Sequence, residues 1–164
     1  MGLSPIRLPV REWRRLRRRA YAAQQIDVSE ICGLFAVRAN RQIFLVFVAN
    51  ESDRDGHFEF SWQQFWLARK QIRRLHGRYI GIFHSHPIAT AAPGPMDIRK
   101  SRINSYQIIY DVCGTTARLW RVVKRGGKKA AAEIPLLIER TSGVWSLSGP
   151  EQARQLETPN CPWF

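Results

Sequence analysis

Residues 81–97 read GIFHSHPIATAAPGPMD. In a strand, side chains alternate between faces, so His84 and His86 would point the same way, with Ile80 and Ile82 below them and Phe83 and Ser85 opposite. Two imidazoles emerging together supply most of what a catalytic zinc site needs, because such a site commonly takes about three protein ligands from His, Asp or Glu and keeps a position for water. Asp97 can be the third if the intervening loop folds back, and a carboxylate at a helix start is locally favoured. Metal chemistry of this kind still profits from a carboxylate base that moves the proton. Glu30, at the entrance to the first apolar strand, is a candidate, although its distance in sequence does not by itself place it near the histidines. The competing reading is an ordinary strand end with two surface histidines and an unrelated surface carboxylate.

The elements that must position these groups follow from the hydrophobic pattern. Trp13, Leu16, Ala20 and Ala23 recur at helical spacing and predict a helix over 11–25, its other positions crowded with arginines. ICGLFAV (31–37) and IFLVFVA (43–49) predict a hairpin of well-buried strands. Ser61 and Gln64 form a capping-box pattern, Phe60 and Phe65 stand where a hydrophobic staple would join, and Gly77 would end that helix. Its inner face is expected to carry Phe65, Ala68, Ile72 and Leu75. RYIGIFHSH (78–86) reads as a strand stopped by Pro87, followed by a loop and a short helix starting near Asp97. A second hairpin is expected over 106–112 and 116–123, and another strand over 134–138. The order predicts an α/β or α+β fold, one domain with a mixed sheet flanked by helices over 1–140, then an extension or wrapping loop over 141–164.

Composition limits the alternatives. Lys and Arg number 26 against 13 for Asp and Glu, a net charge of +13, which favours acidic partners and nonspecific attraction to nucleic acid. The arginine-rich helix and the Lys124, Arg125, Lys128, Lys129 cluster read first as a solvated helix face and a flexible hairpin tip. His57 and His76 read as surface residues. Three widely spaced cysteines indicate neither a disulfide framework nor a thiolate zinc site, which fits a reducing cytoplasm. Cys32 and Cys113 lie in apolar strand patterns, where a cysteine is ordinarily inert core rather than a nucleophile. Arginines fill the place of a signal peptide's apolar region, and no apolar run is long enough for a membrane span.

SEICGLF, then GIFHSHP, then Asp97 together resemble the JAMM (MPN-plus) family of zinc metalloproteases, whose pattern is an upstream Glu followed by H-x-H-P-x6-S-x-x-D. The resemblance extends through FEFSWQQFW, YQIIYDV and RLWRV, over about 11–138. It implies an MPN/JAB-like domain with one Zn2+ per chain bound by His84, His86 and Asp97, and Glu30 as general base. It also implies hydrolysis of the peptide or isopeptide bond after the C-terminal glycine of a ubiquitin-like protein, in deconjugation or precursor processing. The partners implied are that modifier and its conjugates, with functional links to activating and conjugating enzymes, in some relatives serving antiviral defence. One position departs: the family's serine, thought to support the oxyanion, is Gly94 here. Losing such a donor costs on the order of 100- to 1,000-fold in rate at other oxyanion holes. Ser85 should face away, leaving Thr90 or a backbone N–H near Gly94 as substitutes. An active protease, a catalytically weak or inactive scaffold that binds a protein partner, and a nucleic-acid-binding domain supported only by charge are thus the three functional expectations.

Overall fold

The computed structural model describes residues 6–140 and 143–146. Its elements, in chain order, are β1 (Ile6–Pro9), α1 (Val10–Asp27), β2 (Cys32–Val37), β3 (Ile43–Val48), α2 (Trp62–Arg74), β4 (Arg78–His86), α3 (Pro95–Lys100), β5 (Tyr106–Asp111), β6 (Thr116–Arg125), β7 (Lys128–Ile134), β8 (Leu136–Arg140) and β9 (Gly143–Ser146). Six strands form a mixed sheet in the order β3-β2-β4-β5-β6-β7, in which β4 and β5 run parallel and all other neighbours antiparallel. A smaller sheet has the order β1-β8-β9.

Strand alternation gives the large sheet two apolar faces, and one helix covers each. Trp13, Leu16 and Ala20 of α1 pack with Phe35, Leu45, Phe83 and Ile108 on one face. Ala68 and Ile72 of α2 pack with Leu34, Ala36, Phe44 and Val46 on the other. Glu12, which no hydrophobic pattern singles out, is buried on α1 and accepts hydrogen bonds from the Leu45 N–H (3.1 Å) and Arg15 (2.8 Å). Its carboxylate satisfies a donor on the open side of β3 and so blunts the sheet edge.

α2 begins as expected, with the Ser61 hydroxyl accepting the Gln64 N–H at 3.3 Å. The reciprocal half of the box is absent, because the Gln64 side chain instead accepts the Ala49 N–H at 2.8 Å. Phe60 and Phe65 both pack on the cluster beneath α2. The helix closes with the Gly77 N–H on the Ile72 carbonyl and His76 in the left-handed region at φ 53°. Leu75 is 42 % exposed rather than on the inner face, because the last turn rotates it off the sheet.

Other departures lie where no strong periodicity marks the element. β1 is only four residues long and pairs in parallel with β8, a partner 130 residues away (Ile6 opposite Leu136). The basic segment expected as a flexible tip is a tight turn, Gly126 and Gly127 both at positive φ, between β6 and the unanticipated β7. Two successive left-handed positions there favour glycine, since a Cβ at positive φ clashes with the backbone. Part of the expected C-terminal extension is β9, paired with β8; residues 141–142 and 147–164 lie outside the described residues. Among the described residues no helix is long and apolar enough to cross a membrane.

Candidate metal centre

His84 and His86 end β4, a strand enclosed by β2 on one side and β5 on the other. Cys32 stands opposite His84 and Asp111 opposite His86, so the ladder on both flanks fixes the height at which the imidazoles emerge. The expectation that Ile80 and Ile82 lie below them on one face holds only for Ile82. A register shift between Phe35 and Ala36 pairs Phe35 with Gly81 and Ala36 with Tyr79, leaving Ile80 as the extra residue of a bulge. Ile80 therefore packs with the α1-side core, whereas Tyr79 and Ile82 pack on the α2 side. An extra residue reverses the alternation beyond it. Gly81 belongs to this bend: a Cβ there would stand 2.0 Å from the Tyr106 carbonyl oxygen.

Asp97 comes back to the histidines because Gly94 caps α3 and Asp97 is its third residue. The Gly94 N–H donates to Asp97 Oδ2 at 2.8 Å, which turns the carboxylate toward the helix start. Gln107, buried on β5, donates to the Asp97 carbonyl (3.2 Å) and to the Ser101 hydroxyl (2.6 Å). Lys129 donates from β7 to the Arg99 and Ser101 carbonyls at 2.9 and 2.6 Å, satisfying the C-terminal end of α3. The lysine read from sequence as part of a flexible tip thus anchors the ligand-bearing helix.

The resulting donor set has metal dimensions. His84 Nε2 and His86 Nε2 are 3.1 Å apart, and Asp97 Oδ2 stands 3.6 and 3.7 Å from them. A tetrahedral ion with N and O ligands at about 2.0–2.2 Å sets ligand atoms about 3.3–3.6 Å apart, within about 0.2 Å of each of these separations. The chemistry agrees with the distances. His86 Nδ1 lies 2.7 Å from the Thr90 carbonyl and donates to it, so its Nε2 carries a lone pair whenever the ring is neutral. Asp97 is an acceptor, and His84 is completely buried. One proton cannot satisfy three converging electron-rich atoms, whereas a divalent cation can. Among the described residues His84 Nδ1 has no hydrogen-bond partner, and Phe58 stacks on the His84 ring at 4.5 Å.

Electrostatics follow from burial and these contacts. Burial lowers the His84 pKa, outweighing the pull of Asp97. Burial acts the same way on His86, but Asp97, the Thr90 carbonyl and Glu30 together raise it. For Asp97 burial alone would raise the carboxyl, yet hydrogen bonds with both histidines and the Gly94 N–H hold it well below the usual carboxylate range.

Glu30 is brought into the same place. Only 5 % exposed, it lines a cleft of about 1020 Å³ together with His86, Gly94 and Asp97. Burial pushes its pKa up to about 7, with His86 opposing and Asp97 adding to the rise. Two side chains hold the backbone around it. The Ser85 hydroxyl, facing away from the histidines as expected, accepts the Ile31 N–H at 2.9 Å, and the Ser85 N–H donates to the Ile31 carbonyl. Asn50 donates to the carbonyls of Glu30 and His57 and accepts the N–H groups of Ser52 and Glu59, each at 2.9–3.0 Å. All four hydrogen-bonding positions of one amide thus tie Glu30 to the loop that carries Phe58. No sequence signal marks Asn50 beyond its being a polar residue after an apolar strand.

Gly94 has extended backbone (φ −71°, ψ 167°) and room for a side chain, since a Cβ would meet only Asp97 Oδ2 at 3.4 Å. Of the substitutes for the missing hydroxyl, Ser85 faces away from the histidines and holds Ile31, and the Gly94 N–H is committed to Asp97. Cys32 is buried and pushed up to about 12 by burial, then by Glu30 and Glu51, so it is no thiolate nucleophile. His76 is exposed as expected, and His57, also exposed, lines the mouth of the cleft.

The family of prokaryotic homologues of the JAB domain matches residues 10–123. A solution structure of a protein from Desulfitobacterium hafniense is similar at 20 % identity and TM-score 0.67, over 82 % of this chain and 93 % of that one. A JAB1/MPN domain protein from Archaeoglobus fulgidus is 17 % identical with TM-score 0.46, over 80 % and 99 % of the two chains. A structure described as a metalloprotease-like zinc site in the proteasome and signalosome is 14 % identical with TM-score 0.45, over 80 % and 98 %. No curated protein matches. With a JAMM-type histidine pair and aspartate converging at the end of β4, the α+β fold expected from sequence, and a family match over most of its length, the chain belongs to the prokaryotic homologues of the JAB domain.

Proposed function

We propose that this chain is a zinc-dependent metalloprotease that hydrolyses the peptide or isopeptide bond after the C-terminal glycine of a ubiquitin-like protein. The observation that carries the reading is the triangle of His84 Nε2, His86 Nε2 and Asp97 Oδ2, sized for a tetrahedral ion, beside a buried carboxylate in one cleft. These three groups would hold the zinc ion, which would supply Lewis acidity and make a water a usable nucleophile near neutral pH. Glu30 takes a proton from the attacking water at its carboxylate and returns it to the leaving amine. In the metal-free protein burial raises the Glu30 pKa, which favours its holding the proton it takes until the amine leaves. Thr90 and Gly94 orient His86 and Asp97 through backbone groups, and Ser85 and Asn50 set the position of Glu30. The choice of a ubiquitin-like substrate, and of partner activating and conjugating enzymes, rests on the JAMM resemblance.

Gly94 supports a second reading, a scaffold of the same fold that binds a partner without turnover, because the hydroxyl associated with the oxyanion is absent. Metal analysis together with cleavage of a fusion carrying a Gly-Gly junction separates the two. The protease reading expects about one zinc per chain, cleavage by the wild type, and none by Glu30→Gln or chelated protein. Stoichiometric zinc with no cleavage of any such fusion would favour the scaffold, and absence of zinc would remove the protease reading.

A further inference from the structure

The cleft that contains the metal centre extends well beyond it, between α2 and the segment joining α3 to β5. Its α2 wall is aromatic: Trp62 and Phe65 are stacked at 5.0 Å, Trp66 packs edge-on against both, and Trp62 and Trp66 remain 66 % and 46 % exposed. Large aromatic rings left open beside a candidate active site are unusual on a soluble surface and mark contact surfaces. The cations that line the cleft are Arg69, Lys100 and Arg102. The Arg69 guanidinium lies over the Tyr79 ring at 4.5 Å, and Arg102 comes from the opposite wall. Burial raises the Tyr79 pKa, and the charges of Arg69 and then Arg102 oppose that rise, so both charges act on the same phenol. Among the described residues neither arginine forms a salt bridge, and apart from Glu30 and Asp97 no acidic side chain lines the cleft.

We propose that Arg69 and Arg102 form a carboxylate clamp that selects substrates whose extended tail carries an acidic residue about five to seven positions before the scissile bond. The spacing comes from β4, both of whose edges are paired: Tyr79 precedes His84 by five residues and His86 by seven, and an extended chain lying in the cleft over that face covers about 3.3 Å per residue. The acyl side of the bond is the one selected because, if the substrate is a ubiquitin-like tail as proposed above, only that side is an extended polypeptide in both peptide and isopeptide substrates. Trp62 and Trp66 would cover an apolar residue between the clamp and the bond. The specificity inference therefore rests on the protease reading but makes a separate demand, since paired guanidinium groups on two walls favour a carboxylate and repel a lysine or arginine at the same register.

The test uses the full-length, zinc-loaded protein and fusions of a ubiquitin-fold protein ending in Gly-Gly, with Glu, Gln or Lys placed five to seven residues before the junction. In parallel, the same tails as fluorescent peptides are titrated onto Glu30→Gln protein, which reports binding without turnover. The clamp predicts that Glu exceeds Lys by about tenfold in kcat/KM and in affinity at low salt, less at high salt. Arg102→Gln should flatten the preference and Arg69→Glu with Arg102→Glu should invert it, with folding checked by circular dichroism. Cleavage without charge preference overturns the clamp and leaves the protease reading intact. Preferential binding of acidic tails with no cleavage of any tail supports the clamp and removes the protease reading. Equal binding of all tails, or tight binding only of a single-stranded oligonucleotide that the double reversal abolishes, overturns the clamp.

Discussion

Removing the charge of Glu30 should stabilise the metal-free protein, and the gain should depend on pH. The folded-state pKa of about 7 lies above the ordinary value of 4.5, so the fold binds the proton more tightly than the unfolded chain does. Between those two values the native state holds more protons, and stability falls as pH rises. The contribution is fully present below about pH 4.5 and lost once pH has passed about 7, a span worth about 3 kcal/mol at 1.36 kcal/mol per pKa unit. Gln has the shape of the protonated acid and cannot ionise. Glu30→Gln should therefore match the wild type at about pH 4 and exceed it by about 2–3 kcal/mol at about pH 8. Asp97 does not disturb this window, because its lowered pKa confines its own transition to more acid conditions. Glu30 and His86 favour each other's charged forms, so the variant loses that attraction and the difference is read net of it. The assay is urea unfolding of chelator-treated protein at the two pH values, followed by tryptophan fluorescence. A nearby divalent cation favours the carboxylate, so zinc loading should shrink the difference. A difference that is the same at both pH values, or a variant less stable than wild type at about pH 8, would refute the claim that burial sets the state of Glu30.

Gly94→Ser should fold, since the backbone is extended and a Cβ meets only Asp97 Oδ2. Its stability should move by only a few tenths of a kcal/mol, as for other Gly-to-Ser helix caps, while kcat on a Gly-Gly fusion rises by up to about 100-fold if the hydroxyl is the missing oxyanion support; a slower enzyme would refute that. Asn50→Ala removes four hydrogen bonds that join Glu30 to the loop carrying Phe58. It should cost about 2 kcal/mol or more in urea unfolding, with zinc stoichiometry unchanged, and a cost below about 0.5 kcal/mol would show that the loop does not depend on it. Asp97→Asn should weaken zinc affinity in chelator competition by about tenfold or more, and unchanged affinity would remove Asp97 from the ligand set.

The sequence by itself determined the local content of this protein. Alternation in a strand fixes that His84 and His86 share a face, and the helical spacing of Trp13, Leu16 and Ala20 fixes which side of α1 is buried, because both depend only on backbone geometry within a few residues. The H-x-H-P and Asp97 spacing was legible for the same reason, and through family resemblance it also singled out Glu30. What tertiary structure decided was everything requiring distant partners. The parallel pairing of β1 with β8 and the edge strand β7 carry little local signal, because their stability comes from a neighbour rather than from periodicity. The bulge that sends Ile80 into one core and Tyr79 into the other depends on how β2 meets β4, and simple alternation misassigns it. Glu30 reaches the histidines only because β2 pairs with β4 and Ser85 clasps Ile31. Asn50, Gln107 and Lys129 look like ordinary polar residues until the chain closes around them; they matter because backbone groups brought together by folding must each find a hydrogen-bond partner.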